Sequence, residues 1–307
     1  MTAHPLPNRR RAFTLYELLA ALAILSLLLG LMLPAVGKAK LAAARSQSAN
    51  NLKQIGLAAH NYYSTTNVFP PGCDANNFSA VTHLLPYIEQ DNLFKTIDLT
   101  KSVDAKENET ARKTSVKTFL NPMDRIQSVS MDYGPTNYLF NAGSKPGLED
   151  NDGLFYLNSK IRFPDITDGT SNTILTGETL KGDSSVRATD VKRQHVAFKK
   201  EALKDLKDDS GVKEFKDDKM IAADRCASWM DGRFLQGTFT GTRVHNDEKP
   251  DVNCEGAGGL SALRSLTDAV SVGMADGSVR TISKPLKLEI WKALVTRNGG
   301  EVLPNDF

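Results

Sequence analysis

Glu17 stands at the threshold of an apolar run that carries no charge from Leu18 to Gly37. A carboxylate costs about 2 to 3 kcal/mol toward the centre of a bilayer and less near its edge. Such a residue either lies at headgroup depth, reaching back to water, or meets a positive partner. Further along, Asp276-Gly277 and the stretch Ile166-Thr167-Asp168-Gly169-Thr170-Ser171-Asn172-Thr173 gather oxygen-bearing side chains that suit a hard cation such as calcium. Both have a simpler explanation. Asp, Ser, Thr and Asn in turns hydrogen-bond their own backbone. Val270, Val272 and Met274 alternate into Asp276-Gly277, and Val279 and Thr281 alternate out. That pattern predicts a two-residue hairpin turn with Met274 opposite Val279 and Val272 opposite Thr281. No Asp-x-Asp-x-Asp-Gly loop is present, so no cofactor is expected, with calcium at Asp168 or Asp276 as the alternative.

Catalytic spacing is missing. His4, His60, His83, His195 and His245 fall in no HExxH or similar ligand pattern, and no GxSxG elbow occurs. Gly177 to Ser184 mimics a phosphate loop, but Asp183 takes the lysine position and would repel phosphate. Asp208 and Asp209 lie in a charged stretch without catalytic context. No enzyme is expected.

The element that must position Glu17 is the run itself. Its uncharged positions, as a helix, make a rod of roughly 30 Å, a membrane-spanning length. Arg9, Arg10 and Arg11 flank one end and Lys38, Lys40 and Arg45 the other, so basic residues alone do not orient it. The sequence RRRAFTLYELLA at Arg9 to Ala20 resembles a type IV prepilin leader. By that resemblance a prepilin peptidase and methyltransferase cuts between Ala12 and Phe13 and methylates the new amine of Phe13. Glu17 then pairs with the terminal amine of a neighbouring subunit, and Pro34 occupies a position where pilins commonly carry a helix-kinking proline. Ala12 departs from the usual glycine. The competing reading is a secretory signal cut near Ala35-Val36-Gly37, whose apolar core should span about 7 to 15 residues.

A second resemblance covers most of the chain. LPAVGKAKLAAARSQSANNLKQIGLAAHNY at Leu33 to Tyr62, NVFPPG at Asn67 to Gly72 and LLPYIEQDNLF at Leu84 to Phe94 come first. ITDGTSNTILTGE at Ile166 to Glu178, GGLSALRS at Gly258 to Ser265, ADGSVRTIS at Ala275 to Ser283 and WKALVTRNGGEV at Trp291 to Val302 follow in order. These phrases are similar to a bacterial pilin-like family, domain of unknown function number 1559, whose members begin with a prepilin leader. Its His-x9-Asp-Gly signature is broken here by Leu266, so no role of that histidine carries over. Ser48 and Asn121 stand where the family frequently has cysteine.

The resemblances imply an α+β, pilin-like fold: a long N-terminal transmembrane helix continuing into a head with an antiparallel sheet. They imply a leader at 1–12, a membrane helix at 13–37, an amphipathic extension at 38–66 and an extracytoplasmic head at 67–307. The membrane would be the inner, cytoplasmic one, crossed once. Leu41, Ala44, Ser48, Leu52, Ile55, Ala59 and Tyr62 recur at steps of three and four, a stripe that must lie on something. The helix should stop by Ser64 to Asn67, ahead of Pro70-Pro71. Phe234 to Thr242 reads as strand and Leu286 to Val295 as a closing helix or strand. Lys181 to Met220, with its mixed charges, reads as a solvated surface insertion. An extracytoplasmic head permits one disulfide among Cys73, Cys226 and Cys254. Cys226 with Cys254 is the expected pair, against three unpaired buried thiols.

A hydrophobic fraction of 40% and a charged fraction of 24% belong to a folded protein. A net charge of +2 gives no argument for nucleic acid. The leading reading is a pilin- or pseudopilin-like subunit that partners itself or other pilin-like subunits through its N-terminal helix. The other is a non-polymerising anchored surface module that binds through aromatics such as Trp229 or Tyr138.

Overall fold

The computed structural model describes residues 14–185, 187, 189–206, 220–283 and 286–301, without the side chains of 31, 33 and 34. Ala12 and Phe13 lie outside the described residues, as does the most charged part of the expected insertion, 207–219. Two compact units divide the chain, Met1–Arg45 and Ser46–Phe307.

The described part of the first unit is one helix. α1, Leu15–Thr66, begins here and runs through Pro34 unbroken. Its apolar window is long enough to cross a membrane, and none of it is buried among the described residues. Leu18, Leu22, Leu25 and Leu29 are all more than half exposed. An all-round apolar surface of this kind belongs in lipid.

In the second unit the remaining turns of α1 bury the face that the spacing predicts. Ser48, Leu52, Ile55 and Ala59 are fully buried, whereas Leu41, in the first unit, is exposed. The helix ends at Thr66, and Asn67 takes the left-handed conformation at φ 59°. Pro70 and Pro71 follow and cannot continue a helix.

A five-stranded sheet lies against this helix in the order β5-β1-β2-β8-β9. β1 is Tyr138–Gly143, β2 Ile174–Glu178, β5 Thr238–Thr240, β8 Val270–Met274 and β9 Val279–Ile282. Side chains alternate across it, as a period of two requires. Tyr138, Phe140 and Leu175 pack with Leu52, Ile55 and Ala59 of α1. Leu139, Ile174, Val270, Val272 and Met274 face the other way, onto Trp291, Leu294 and Val295. Those three belong to α5, Leu288–Val295, the closing element, which is a helix. Burying a side chain of this size contributes about 2 to 3 kcal/mol.

The short helices α2 (Ala80–Leu84), α3 (Asp91–Phe94) and α4 (Glu109–Lys113) precede β1. A second sheet has the order β4-β3-β6-β7, from Ile221–Ala222, His195–Phe198, Asp251–Cys254 and Gly259–Leu260. Most pairs are antiparallel, but β1 with β5 and β3 with β6 run parallel, so both sheets are mixed.

The expected surface insertion is therefore partly core. β3 carries the fully buried His195, and Lys181 and Arg193 are buried around Asp124. Arg193 Nη2 lies 3.0 Å from Asp124 Oδ1, and Lys181 Nζ donates to Asn137 Oδ1 at 2.9 Å. Burial works against ionisation of Asp124, yet Arg193 and the Lys181 N–H hold its carboxyl below the usual range. A cation needs a buried partner before it can leave water, and that partner lies far back in the sequence.

Candidate functional site

At the start of α1, Thr14 and Glu17 form a capping box. Thr14 N and Oγ1 each donate to Glu17 Oε2 at 2.9 Å, and Glu17 N donates back to Thr14 Oγ1 at 3.3 Å. The carboxylate thus closes its own helix terminus, where a negative group is favoured.

The second constellation ties α1 to the sheet. Glu178, 4% exposed, ends β2. Its Oε2 accepts from Ser48 Oγ at 2.7 Å and from Asn121 Nδ2 at 3.1 Å, while its Oε1 accepts from Ser271 N at 2.8 Å. Ser48 also lies 3.1 Å from the Tyr138 hydroxyl, to which Asn51 Nδ2 donates at 3.3 Å. Burial pushes the Tyr138 phenol far up, so it stays neutral. Ser48 and Asn121 stand out in the sequence, whereas Glu178 looks like an ordinary strand end. Nothing in the linear pattern points to three donors meeting there.

The Asp276-Gly277 turn rests on the same helix. Met274 N donates to Ser278 O and Gly277 N to Met274 O, so the loop holds three residues, not two. Gly277 sits at φ 82° as its left-handed member. The register is therefore one residue off the expected one: Val279 faces Gly273 and Thr281 faces Ser271. Asp276 Oδ1 accepts from Ser278 N at 2.8 Å. His60 Nε2 donates to Ala275 O at 2.8 Å, and a Cβ on Gly56 would touch Gly277 Cα at 3.4 Å.

Asp168 is occupied by backbone donors. Its Oδ2 accepts from Gly299 N at 2.7 Å and from Thr296 Oγ1 at 3.3 Å, and its Oδ1 accepts from Gly300 N at 2.9 Å. N–H groups point where a cation would sit, so this carboxyl fastens the C-terminal segment. Among the described residues no acidic, histidine or cysteine side chains gather as a metal-holding group.

The expected Cys226–Cys254 bond is not formed. Cys226 packs with Phe239 and Trp291, and Cys254 packs in a separate cluster with Leu206 and Val252. Burial pushes the thiols of Cys226 and Cys254 up to about 11 and that of Cys73 up to about 12, which makes all three unreactive. Trp229 and Tyr138 are fully buried and offer no exposed binding face. Trp229 Nε1 donates to Thr114 O at 2.7 Å. Leu266, at the place of the family histidine, is half exposed. Glu17 lies in the first compact unit and Pro34's side chain lies outside the described residues.

Residues 37–289 match the model of a family described as a protein of unknown function, DUF1559. Residues 7–33 match the prokaryotic N-terminal methylation motif. No curated protein and no solved structure matches the chain.

Proposed function

The chain belongs to the DUF1559 family and begins with a prokaryotic N-terminal methylation motif, and from that premise we propose that it is a pilin-like structural subunit that assembles into a filament. In this reading a prepilin peptidase removes residues 1–12 and methylates Phe13. The helix is then stored in the inner membrane, with the head on the far side. The observation that carries the reading is the coincidence of the methylation motif with an apolar helix whose spanning window is unburied among the described residues. Glu17 supplies the assembly contact, exchanging its capping donors in Thr14 for the amine of a neighbouring subunit. That exchange matches one charge with another inside a low-dielectric bundle.

The test is Glu17→Ala in the native cell, read by membrane fractionation and by crosslinking through α1. The mutant should insert normally but lose the ladder of self-adducts. Wild-type ladders from the mutant would count against filament assembly.

One observation favours a second reading, an anchored module that never polymerises. The Glu17 carboxylate already accepts two hydrogen bonds from Thr14 and does not require a neighbour. Under that reading the wild type itself gives no ladder.

A further inference from the structure

The cluster around Asp124 brings two cations, Lys181 and Arg193, to one buried carboxylate. Arg193 takes that carboxylate, with Nη2 at 3.0 Å from Asp124 Oδ1, and its Nε also reaches the partly exposed Asp190 at 3.6 Å. Lys181 Nζ stands 3.9 Å from Asp124 Oδ2, beyond hydrogen-bond range. Its hydrogen bond goes instead to a neutral group, Asn137 Oδ1, at 2.9 Å. An ammonium buried without a direct carboxylate contact is costly in its charged form. Burial pulls the Lys181 pKa below the usual lysine value; Asp124 and Cys226 oppose that shift and Arg193 reinforces it.

Four contacts fix the orientation of the fully buried Asn137 amide. Its Oδ1 accepts from Asn121 N at 3.0 Å as well as from Lys181 Nζ, and its Nδ2 donates to Asp124 Oδ2 at 2.9 Å and to Thr179 O at 2.8 Å. Turning the amide over would set donor against donor. In this orientation each atom has the neighbour that acyl transfer to an amine requires. The carbonyl has a primary amine beside it. The carbonyl oxygen, where negative charge develops on attack, meets the backbone N–H of Asn121. The nitrogen that must leave lies against a carboxyl group that can carry a proton to it.

We infer that Lys181 and Asn137 condense into an intramolecular isopeptide bond, with Asp124 as the proton carrier. The Nζ–Cγ bond forms and the Cγ–Nδ2 bond breaks. Two of the three Nζ protons pass by way of Asp124 to Nδ2, which departs as ammonium, and the third stays on the new amide. No oxidant, reductant or further reactant enters. The surplus cation leaves the core with the ammonium, and Asp124 keeps Arg193 as its partner.

Asn137 immediately precedes β1 and Lys181 lies just past the end of β2, where Tyr138 faces Glu178 across the sheet. The bond therefore staples two neighbouring strands of the main sheet through residues 44 positions apart. It lies wholly within the head and is independent of whether the N-terminal helix bundles.

The full chain, extracted from membranes and denatured, is weighed by intact mass spectrometry, then digested with trypsin and its peptides sequenced by fragmentation. It should be lighter by one ammonia than the sequence that its own N-terminus defines. One branched peptide should join the segment holding Asn137 to the segment holding Lys181. Lys181→Met should abolish that peptide, and Asp124→Asn should reduce the branched fraction at least about tenfold. The wild-type mass decides the matter even if both variants misfold. The inference is overturned if the wild type keeps its full mass, or if Asp124→Asn cross-links as the wild type does. It is also overturned if ammonia is lost without a branched peptide, as cyclisation of Asn298 before Gly299 would do. Both readouts are taken on denatured single chains, so failure here is distinct from failure of filament assembly.

Discussion

Ser48 Oγ on α1 and Asn121 Nδ2 in the loop before β1 donate to the same oxygen of Glu178, at 2.7 and 3.1 Å. Their tips are therefore within about 6 Å of each other, on either side of one acceptor. The two positions where the family frequently carries cysteine are thus drawn together here by hydrogen bonds. Ser48→Cys combined with Asn121→Cys should form a disulfide under oxidising conditions. Loss of free thiol and a faster-migrating nonreduced band would show it; two titratable thiols in the folded, oxidised double variant would refute it.

Removing the acceptor is more damaging than removing one donor. Glu178→Leu leaves Asn121 Nδ2 and the Ser271 N–H without their shared partner, while Ser48 keeps the Tyr138 hydroxyl, and each buried orphan costs about 1 to 3 kcal/mol. Ser48→Ala should cost about 1 kcal/mol, because Asn121 and Ser271 still hold the carboxyl. Denaturant unfolding of the two variants should show that ranking.

His195 makes stability depend on pH. Burial lowers its folded pKa to about 4, against an unfolded value near 6.5, so between these pH values the unfolded chain binds the extra proton. Stability is then fully present above about pH 6.5, declines as the pH falls, and levels off below about 4. Asp224 opposes this shift and Arg225 reinforces it, while His245 is shifted the same way by its own burial. Full protonation of the unfolded chain alone would cost on the order of 3 kcal/mol. His195→Gln should flatten the slope in urea midpoints measured from pH 7 to pH 4.5.

The three-residue turn demands glycine. Gly277 has φ 82°, where a side chain costs about 1 to 2 kcal/mol, and its Cα faces Gly56 on α1. Gly277→Val should lower stability by at least that much. Gly56→Leu should do so separately, by pushing the turn away and lengthening the His60–Ala275 hydrogen bond. Thermal melts and the His60 ring shift in NMR measure the two effects.

Asp168 holds the backbone of Gly299 and Gly300. Asp168→Ala should cost about 1 kcal/mol, since the exposed Gly299 N and Gly300 N are left to water, and should speed proteolysis near Arg297. Millimolar calcium should move the melting temperature of the wild type no more than that of this variant. A calcium shift lost on substitution would reinstate the metal.

The sequence by itself determined the elements whose pattern is local. Length and lack of charge make the N-terminal rod, steps of three and four mark the buried face from Ser48 to Ala59, and alternation marks β8. Proline after Asn67 ends the helix. Tertiary structure decided what depends on residues distant along the chain. Alternation is the same for a two- and a three-residue loop, so only the Met274 N–Ser278 O hydrogen bond, in a turn packed against Gly56, settled the register. Glu178 reads like any polar strand end until Ser48 and Asn121 reach it across more than fifty residues. Lys181 and Arg193 look solvated in a charged stretch because their partner, Asp124, belongs to an earlier loop. Periodicity is a property of neighbours in the chain; the pairing of a buried polar group is a property of whatever packing brings beside it.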